Sequence, residues 1–227
     1  MLLETFPGGV EEVDGGFAVY TDDAGERSLR ERFEITSESF AEGWEEAWRE
    51  FHHGVVVGRF WIGPPWEEAT DEVEAIVIDP GRAFGTGAHA TTRLTLDLLQ
   101  TLEPGSLLDV GCGSGVLSIA AARLGFRPIV AVDIDDDAVE IAQANARVNG
   151  VEIDTYRADA LVDDLPAVDI VVANVALDVV EALLPRLDAS LAITSGYLER
   201  DDPAVTGWHR VDRADREGWA ADLYARG

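Results

Sequence analysis

Lysine is missing from this chain altogether. All 17 basic residues among its 227 are arginines, set against 44 aspartates and glutamates, for a formal net charge of −27 at pH 7. A surface of that sign repels phosphate backbones and argues against broad nucleic-acid binding. It steers a basic protein favourably, although a solvated acidic coat without any partner explains the charge equally well. Cysteine is nearly absent too. The lone Cys112 leaves no intrachain disulfide, and it shows no metal-ligand spacing with the four histidines. His52 and His53 follow an expected helix and read as exposed or packed, so no metal is expected. Met1 to Glu12 lacks a basic n-region and a continuous apolar core, and no apolar run nears the roughly 18 residues of a membrane span. The expectation is a soluble, cytoplasmic protein with no membrane partner.

What is present is the composition of a folded chain, 47% hydrophobic and 27% charged. The length suits one core of about 150 residues with a smaller unit attached. The rigid run Gly63-Pro64-Pro65-Trp66 predicts a junction near residue 65, with a small α+β unit over 1–65 and a larger domain over 66–227. In the first unit, Gly16 to Tyr20 predicts a strand, residues 21–25 a turn and Ser28 to Phe33 a short helix. Trp44, Trp48 and Phe51 share one helical face, and Val55 to Ile62 predicts a further strand.

The second unit is organised around Leu107-Leu108-Asp109-Val110-Gly111-Cys112-Gly113-Ser114-Gly115, an apolar strand end that breaks into three alternate glycines before a helical run, Val116 to Leu124. Glycine tolerates positive φ and lets backbone approach a ligand, and the helix that follows presents unpaired N–H donors. A small anionic or polar ligand suits such a turn, as does plain packing of strand on helix. A second strand, Ile129 to Val132, ends in Asp133, 22 residues after Gly111, where a carboxylate can receive ribose hydroxyls. Val116 stands where a dinucleotide site carries its third glycine, which favours S-adenosylmethionine over a nicotinamide cofactor.

Around this core, Ala75 to Ile78 predicts a strand leading into a glycine-rich loop over residues 79–89. A helix from about Ala90 carries Leu94, Leu98 and Leu102 on one face and Thr91 and Thr92 in its first turn. Thr92 either faces the ligand or caps its own helix. A helix from about Asp136 to Asn149 stops at Gly150, and Ile153 to Tyr156 predicts the next strand. Asp159 beyond it is either an adenine contact or an ordinary loop residue. Asp169 to Asn174 predicts a buried parallel strand ending in an amide, itself a site candidate. A helix over Leu177 to Leu187, a strand over Ser190 to Thr194, a turn at Gly196 and two antiparallel strands, Trp208 to Asp212 and Trp219 to Tyr224, complete the pattern. Alternating strands and helices predict an α/β doubly wound, Rossmann-like sheet.

Asp79-Pro80-Gly81, Ala83 to Gly87, His89, Thr91-Thr92, the glycine loop, Val132 to Asp135 and Val171 to Asn174 together carry a family likeness. Over roughly residues 44 to 227 the chain resembles the ribosomal protein L11 methyltransferases (PrmA). The resemblance implies a class I S-adenosylmethionine-dependent methyltransferase acting on amines of a large-subunit ribosomal protein. It puts Thr92, Gly111, Asp133 and Asn174 on cofactor-contacting positions, and Gly113 belongs to the same loop. Members usually open with a fuller ferredoxin-like recognition domain, whose first strand and most of whose first helix are missing ahead of Leu2-Leu3-Glu4, so a reduced N-terminal domain or an upstream start is expected. The segment after Asn174 is also shorter than usual.

Methyl transfer asks mainly for alignment and a neutral amine. Asn174 is the candidate for orienting the amine or the cofactor, and no general base is named. The rivals are a class I methyltransferase for another protein or small molecule, and a cofactor-binding module without catalysis. The acceptor and the oligomeric state stay open.

Overall fold

Apolar runs such as Leu107-Leu108 and Ile170 to Ala173 offer no polar face to water and demand cover on both sides. In the computed structural model they form the middle of a seven-stranded sheet. The structure describes residues 10–13, 16–19, 30, 53–69, 73–79 and 87–227. The expected turn over 21–25, the helix over 28–33, the aromatic stripe at 44–51 and most of the glycine-rich loop, 80–86, lie outside the described residues.

Near the N-terminus, β1 (Val10–Val13) pairs antiparallel with β2 (Gly16–Val19). A three-stranded sheet follows, made of β3 (Val55–Val57), β4 (Phe60–Gly63) and β5 (Glu74–Val77) in that order. The single strand expected over 55–62 is thus a hairpin. Its two-residue turn begins at Gly58, whose φ of 56° a β-branched residue would resist. Strand β4 then pairs parallel with β5, so the chain on either side of Pro64-Pro65 belongs to one sheet. Phe60, Ile62, Ile76 and Ile78 are fully buried in one cluster with Leu94, Leu99, Ile119 and Phe126.

The remaining elements are α1 (Ala90–Leu99), β6 (Leu107–Val110), α2 (Val116–Leu124), β7 (Ile129–Asp133), α3 (Asp136–Val148) and β8 (Asp154–Arg157). After them come β9 (Ile170–Asn174), α4 (Leu177–Leu183), β10 (Leu191–Leu198), β11 (Trp208–Arg216) and β12 (Trp219–Arg226). The large sheet has the order β11-β12-β10-β9-β6-β7-β8. Its strands from β10 to β8 are parallel, while β12 runs antiparallel to both β10 and β11. Helices α1 and α2 contribute to the cluster on one face of the sheet, together with β3 to β5, and Ala142 of α3 packs on Ala131 of β7. Val180 and Leu183 of α4 pack in a second cluster with Val110, Val132 and Ala173. The doubly wound sheet is therefore present as expected.

Local chemistry sets the ends. Asp135 caps α3 by accepting the Asp137 N–H at 3.0 Å, Asp136 and Asp137 favour the first turn electrostatically, and Gly150 ends the helix at a φ of 64°. Helix α4 is shorter than the expected run to Leu187. Pro185 cannot donate into an α-helical ladder, so the last turn tightens to a 3₁₀ helix over Leu184–Arg186. The expected turn at Gly196 is instead a bulge inside β10, which continues to Leu198. The two last strands are longer than expected, joined through Glu217 and Gly218, both at positive φ (54° and 81°) as a tight twisted hairpin requires.

Candidate active site

Strand pairing brings three of the sequence candidates to one level. Val110 of β6 is in register with Val132 of β7 and with Ala173 of β9. The next residue on each strand is Gly111, Asp133 and Asn174 respectively. All three stand at the carboxyl ends of adjacent parallel strands, beside the β6–β9 boundary where the winding of the sheet reverses. Open α/β sheets bind their ligands at that place.

The glycine loop is held from beneath. Gly111, Gly113 and Gly115 all have positive φ, at 71°, 53° and 80°. A Cβ on Gly111 would lie 2.6 Å from Val175 Cγ1, so both backbone conformation and space demand glycine there. The N–H groups of Gly111 and Cys112 donate to the Val132 carbonyl at 2.9 and 3.1 Å, and the Gly115 N–H donates to the Cys112 carbonyl at 2.8 Å. With these donors engaged, the loop has little to offer a pyrophosphate.

Asp133 closes the far side. Its Oδ2 accepts the Gly113 N–H at 3.0 Å and its Oδ1 accepts the Asp135 N–H at 3.1 Å, so the carboxylate is fixed in place while keeping further lone pairs. The adjacent Ile134 is 59% exposed, an apolar surface beside a fixed carboxylate. Asp159, the other candidate on this side, accepts the Leu161 N–H at 3.0 Å and serves its own turn.

Across the loop, Thr92 is buried on the first turn of α1, and the Asn174 Nδ2 donates to its Oγ1 at 3.5 Å. The two residues are 82 positions apart in sequence. Thr92 does not cap its helix, a role that falls to His89, whose Nδ1 accepts the Thr91 N–H at 3.3 Å. Burial, assisted by Arg93, holds the His89 imidazole below its ordinary pKa. The Asn174 peptide is itself braced: the Val175 N–H donates to the Ser195 carbonyl at 3.0 Å, and Val175 backbone packs directly on Gly196, which explains the glycine in the β10 bulge.

Under the loop lies Asp109, fully buried. Its Oδ2 accepts the Ser118 hydroxyl at 2.6 Å, while its Oδ1 has no hydrogen-bond partner among the described residues. Burial, reinforced by the Asp133 charge, raises its pKa to about 6 despite the Ser118 bond. Burial likewise pushes the neighbouring Cys112 thiol up, so this cysteine is a small packed side chain and not a nucleophile.

The model of the ribosomal protein L11 methyltransferase family (PrmA) matches residues 17–223. The chain belongs to that family. A ribosomal protein L11 methyltransferase of Caldanaerobacter subterraneus subsp. tengcongensis is 41% identical over 203 residues, 82% of this chain and 66% of the relative. One from Geobacter sulfurreducens is 40% identical over 199 residues, 81% and 66% of the two chains. The chain thus spans just under two thirds of the length of these relatives. Among solved structures, the ribosomal protein L11 methylase of Lactobacillus delbrueckii subsp. bulgaricus superposes with a TM-score of 0.67 at 29% identity, covering 77% of this chain and 98% of that one. The 16S rRNA methylase RmtB, at 19% identity and a TM-score of 0.50 over 62% of this chain and 67% of its own, shares the fold. The α/β sheet is accordingly of the class I, Rossmann-like methyltransferase type.

Proposed function

We propose that the chain is an S-adenosylmethionine-dependent protein methyltransferase that methylates amines, lysine side chains or the amino terminus, of a basic large-subunit ribosomal protein. The observation that carries this reading is the level placement of Gly111, Asp133 and Asn174, with Thr92 joined to Asn174 across the glycine loop. Family membership supports it, and the relatives' names point to L11 as the acceptor. The charge of −27 favours encounter with a basic protein over direct contact with nucleic acid. No helix among the described residues is long and apolar enough to cross a membrane, and cytoplasm, where ribosomal proteins are made, is the proposed compartment.

The residues present fit the cofactor. The loop's shape needs glycine at positive φ, and its donors are engaged as a ligand without pyrophosphate permits. The unpartnered Asp109 Oδ1 lies behind it as an acceptor for a cationic group. S-adenosylmethionine supplies, when bound, a methyl group on a sulfonium that passes to a neutral amine. Asp133 accepts from ribose hydroxyls with the lone pairs its backbone bonds leave free, and Ile134 offers an apolar face for a purine. Gly111 and Gly113 let the backbone close on the ligand.

A lysine amine of pKa near 10.4 costs about 4.6 kcal/mol to neutralise at pH 7. Removing it from water lowers that cost. Asn174 turns its amide nitrogen to Thr92, which leaves its amide oxygen to accept an N–H of the incoming amine and aim the nitrogen lone pair.

The test is calorimetry with S-adenosylmethionine and with NAD, followed by labelled methyl transfer to purified ribosomal protein L11 and to small amines. Binding of S-adenosylmethionine alone with label on the protein amines is the expected result. Binding without transfer to the ribosomal protein moves the reading to another acceptor or to a non-catalytic module, and binding of NAD alone overturns it.

A further inference from the structure

Helix α3 turns Ala142 and Asn145 toward the glycine loop, and Asn149, its C-cap, toward β5. A Cβ on Gly115 would stand 3.1 Å from the Ala142 Cβ, so the helix is already in close contact with the end of the glycine loop. Asn145, only 2% exposed, donates its Nδ2 to the Ser114 carbonyl at 2.9 Å and accepts the Asp79 N–H on its Oδ1 at 3.1 Å. One turn on, Asn149 accepts the Val77 N–H at 2.9 Å and donates to the Val77 carbonyl at 2.7 Å, as a neighbouring strand would. Its Nδ2 also donates to the Asn145 carbonyl at 2.8 Å.

The two asparagines therefore differ in what they hold. Both fasten the end of β5 to α3. Asn145 alone reaches the glycine loop, where it fixes the Ser114 carbonyl between Gly113, braced by Asp133, and Gly115, packed on Ala142. The Ser114 Oγ accepts the Val116 N–H at 3.4 Å, on the helix side of the loop, and the three glycines bring no side chains to hold the loop's peptides in one orientation. A buried amide with both ends satisfied does this better than packing, because each bond is directional and breaking one leaves a buried polar group unpaired.

We infer that Asn145 is a positioning residue for the cofactor loop: through the Ser114 carbonyl it sets the orientation of the Gly113 to Gly115 peptides, and through Asp79 it registers that loop against the chain leaving β5. The inference rests on the reading of the glycine loop as the cofactor site. Asn145→Asp separates the two bonds. The carboxylate still accepts the Asp79 N–H, but it cannot donate to the Ser114 carbonyl, which it faces oxygen to oxygen.

The experiment compares Asn145→Ala, Asn145→Asp and Asn149→Ala by two readouts, each taken well below the variant's own melting temperature. The first is S-adenosylhomocysteine affinity by calorimetry. The expected result is binding at least tenfold weaker in both Asn145 variants, with Asn149→Ala lower in melting temperature and within twofold of wild type in affinity. The second is amide hydrogen exchange over Gly113 to Val116 in the unliganded protein, expected to quicken at least tenfold in the Asn145 variants alone. If Asn145→Ala does not fold, Asn145→Asp decides. Wild-type affinity and exchange in Asn145→Asp, or equal losses in Asn145 and Asn149 variants, overturn the inference. A wild-type protein that ignores S-adenosylhomocysteine refutes the cofactor reading instead, and the exchange readout then still decides whether Asn145 orients the loop.

Discussion

Asp133 accepts the backbone N–H of Gly113 at 3.0 Å, across the gap between two adjacent strands. The residue expected to receive the ribose is thus also a brace for the loop beside it. Asp133→Ala removes both functions. Losing a hydrogen bond to a charged acceptor costs about 1.5 to 3 kcal/mol, so calorimetry should show S-adenosylhomocysteine binding weakened tenfold or more. Asp133→Asn keeps an oxygen for one of the two roles and should fall between. Unchanged affinity in the alanine variant removes Asp133 from the site.

Asn174→Ala should separate turnover from stability. The side chain makes one long bond, to Thr92, and stands only half-buried at the end of β9. Its loss should leave the melting temperature close to wild type and lower the methyl-transfer rate by on the order of tenfold or more. Thr92→Val, nearly isosteric, should lower the rate less, and the double variant should lose no more than Asn174→Ala alone if the two act as a pair. Full activity in Asn174→Ala counts against the pair.

The buried Asp109 makes a pH prediction. Its pKa rises from 3.8 to about 6 on folding, so between these values the folded chain binds the proton more tightly than the unfolded one. Its contribution to stability is therefore complete below about pH 4 and lost as pH rises through 6. The full change is about 3 kcal/mol for about two pKa units. Asp109→Asn should abolish this part of the slope in denaturant titrations of the unliganded protein from pH 4 to 7.5. A wild-type slope in that variant would show that another group is responsible.

Truncation tests where recognition resides. We place the small N-terminal recognition unit ahead of His53, because a chain starting at Trp66 lacks β3 and β4 and with them Phe60 and Ile62, both at 0% exposure. Removing core side chains of that size costs about 2 to 5 kcal/mol each. A protein starting at 66 should be insoluble. One starting at His53 retains the bonds from His53 and from the Gly54 N–H to Glu67; it should bind S-adenosylhomocysteine but fail to methylate a ribosomal protein. Full activity on that acceptor of the protein starting at His53 would show that recognition lies elsewhere.

Much of the site was legible because its parts sit at strand ends. Gly111, Asp133 and Asn174 each follow an apolar run whose length can be counted, and parallel pairing then brings them level. The Pro64-Pro65 run reads as a break because the pairing of Phe60 with Glu74 across it is non-local. The turn at Gly58 inside the Val55 to Ile62 run and the bulge at Gly196 are hard to read for a related reason: glycine marks a special backbone, but whether it is a strand position, a turn or a bulge depends on which strand lies alongside. Asn145 carried no readable role, since its two partners lie 31 and 66 positions away in sequence. Its only trace is an amide on the buried side of α3, between Ala142 and Ala146.

The place of β12 between β10 and β11 has a consequence for how the protein comes into being. The ribosome makes β10 first, then β11, and only then the strand that joins them. Until β12 arrives, β10 presents an open parallel edge and β11 has no place in the sheet. An edge left open in this way during folding is a place where a chaperone or another unpaired strand competes for pairing.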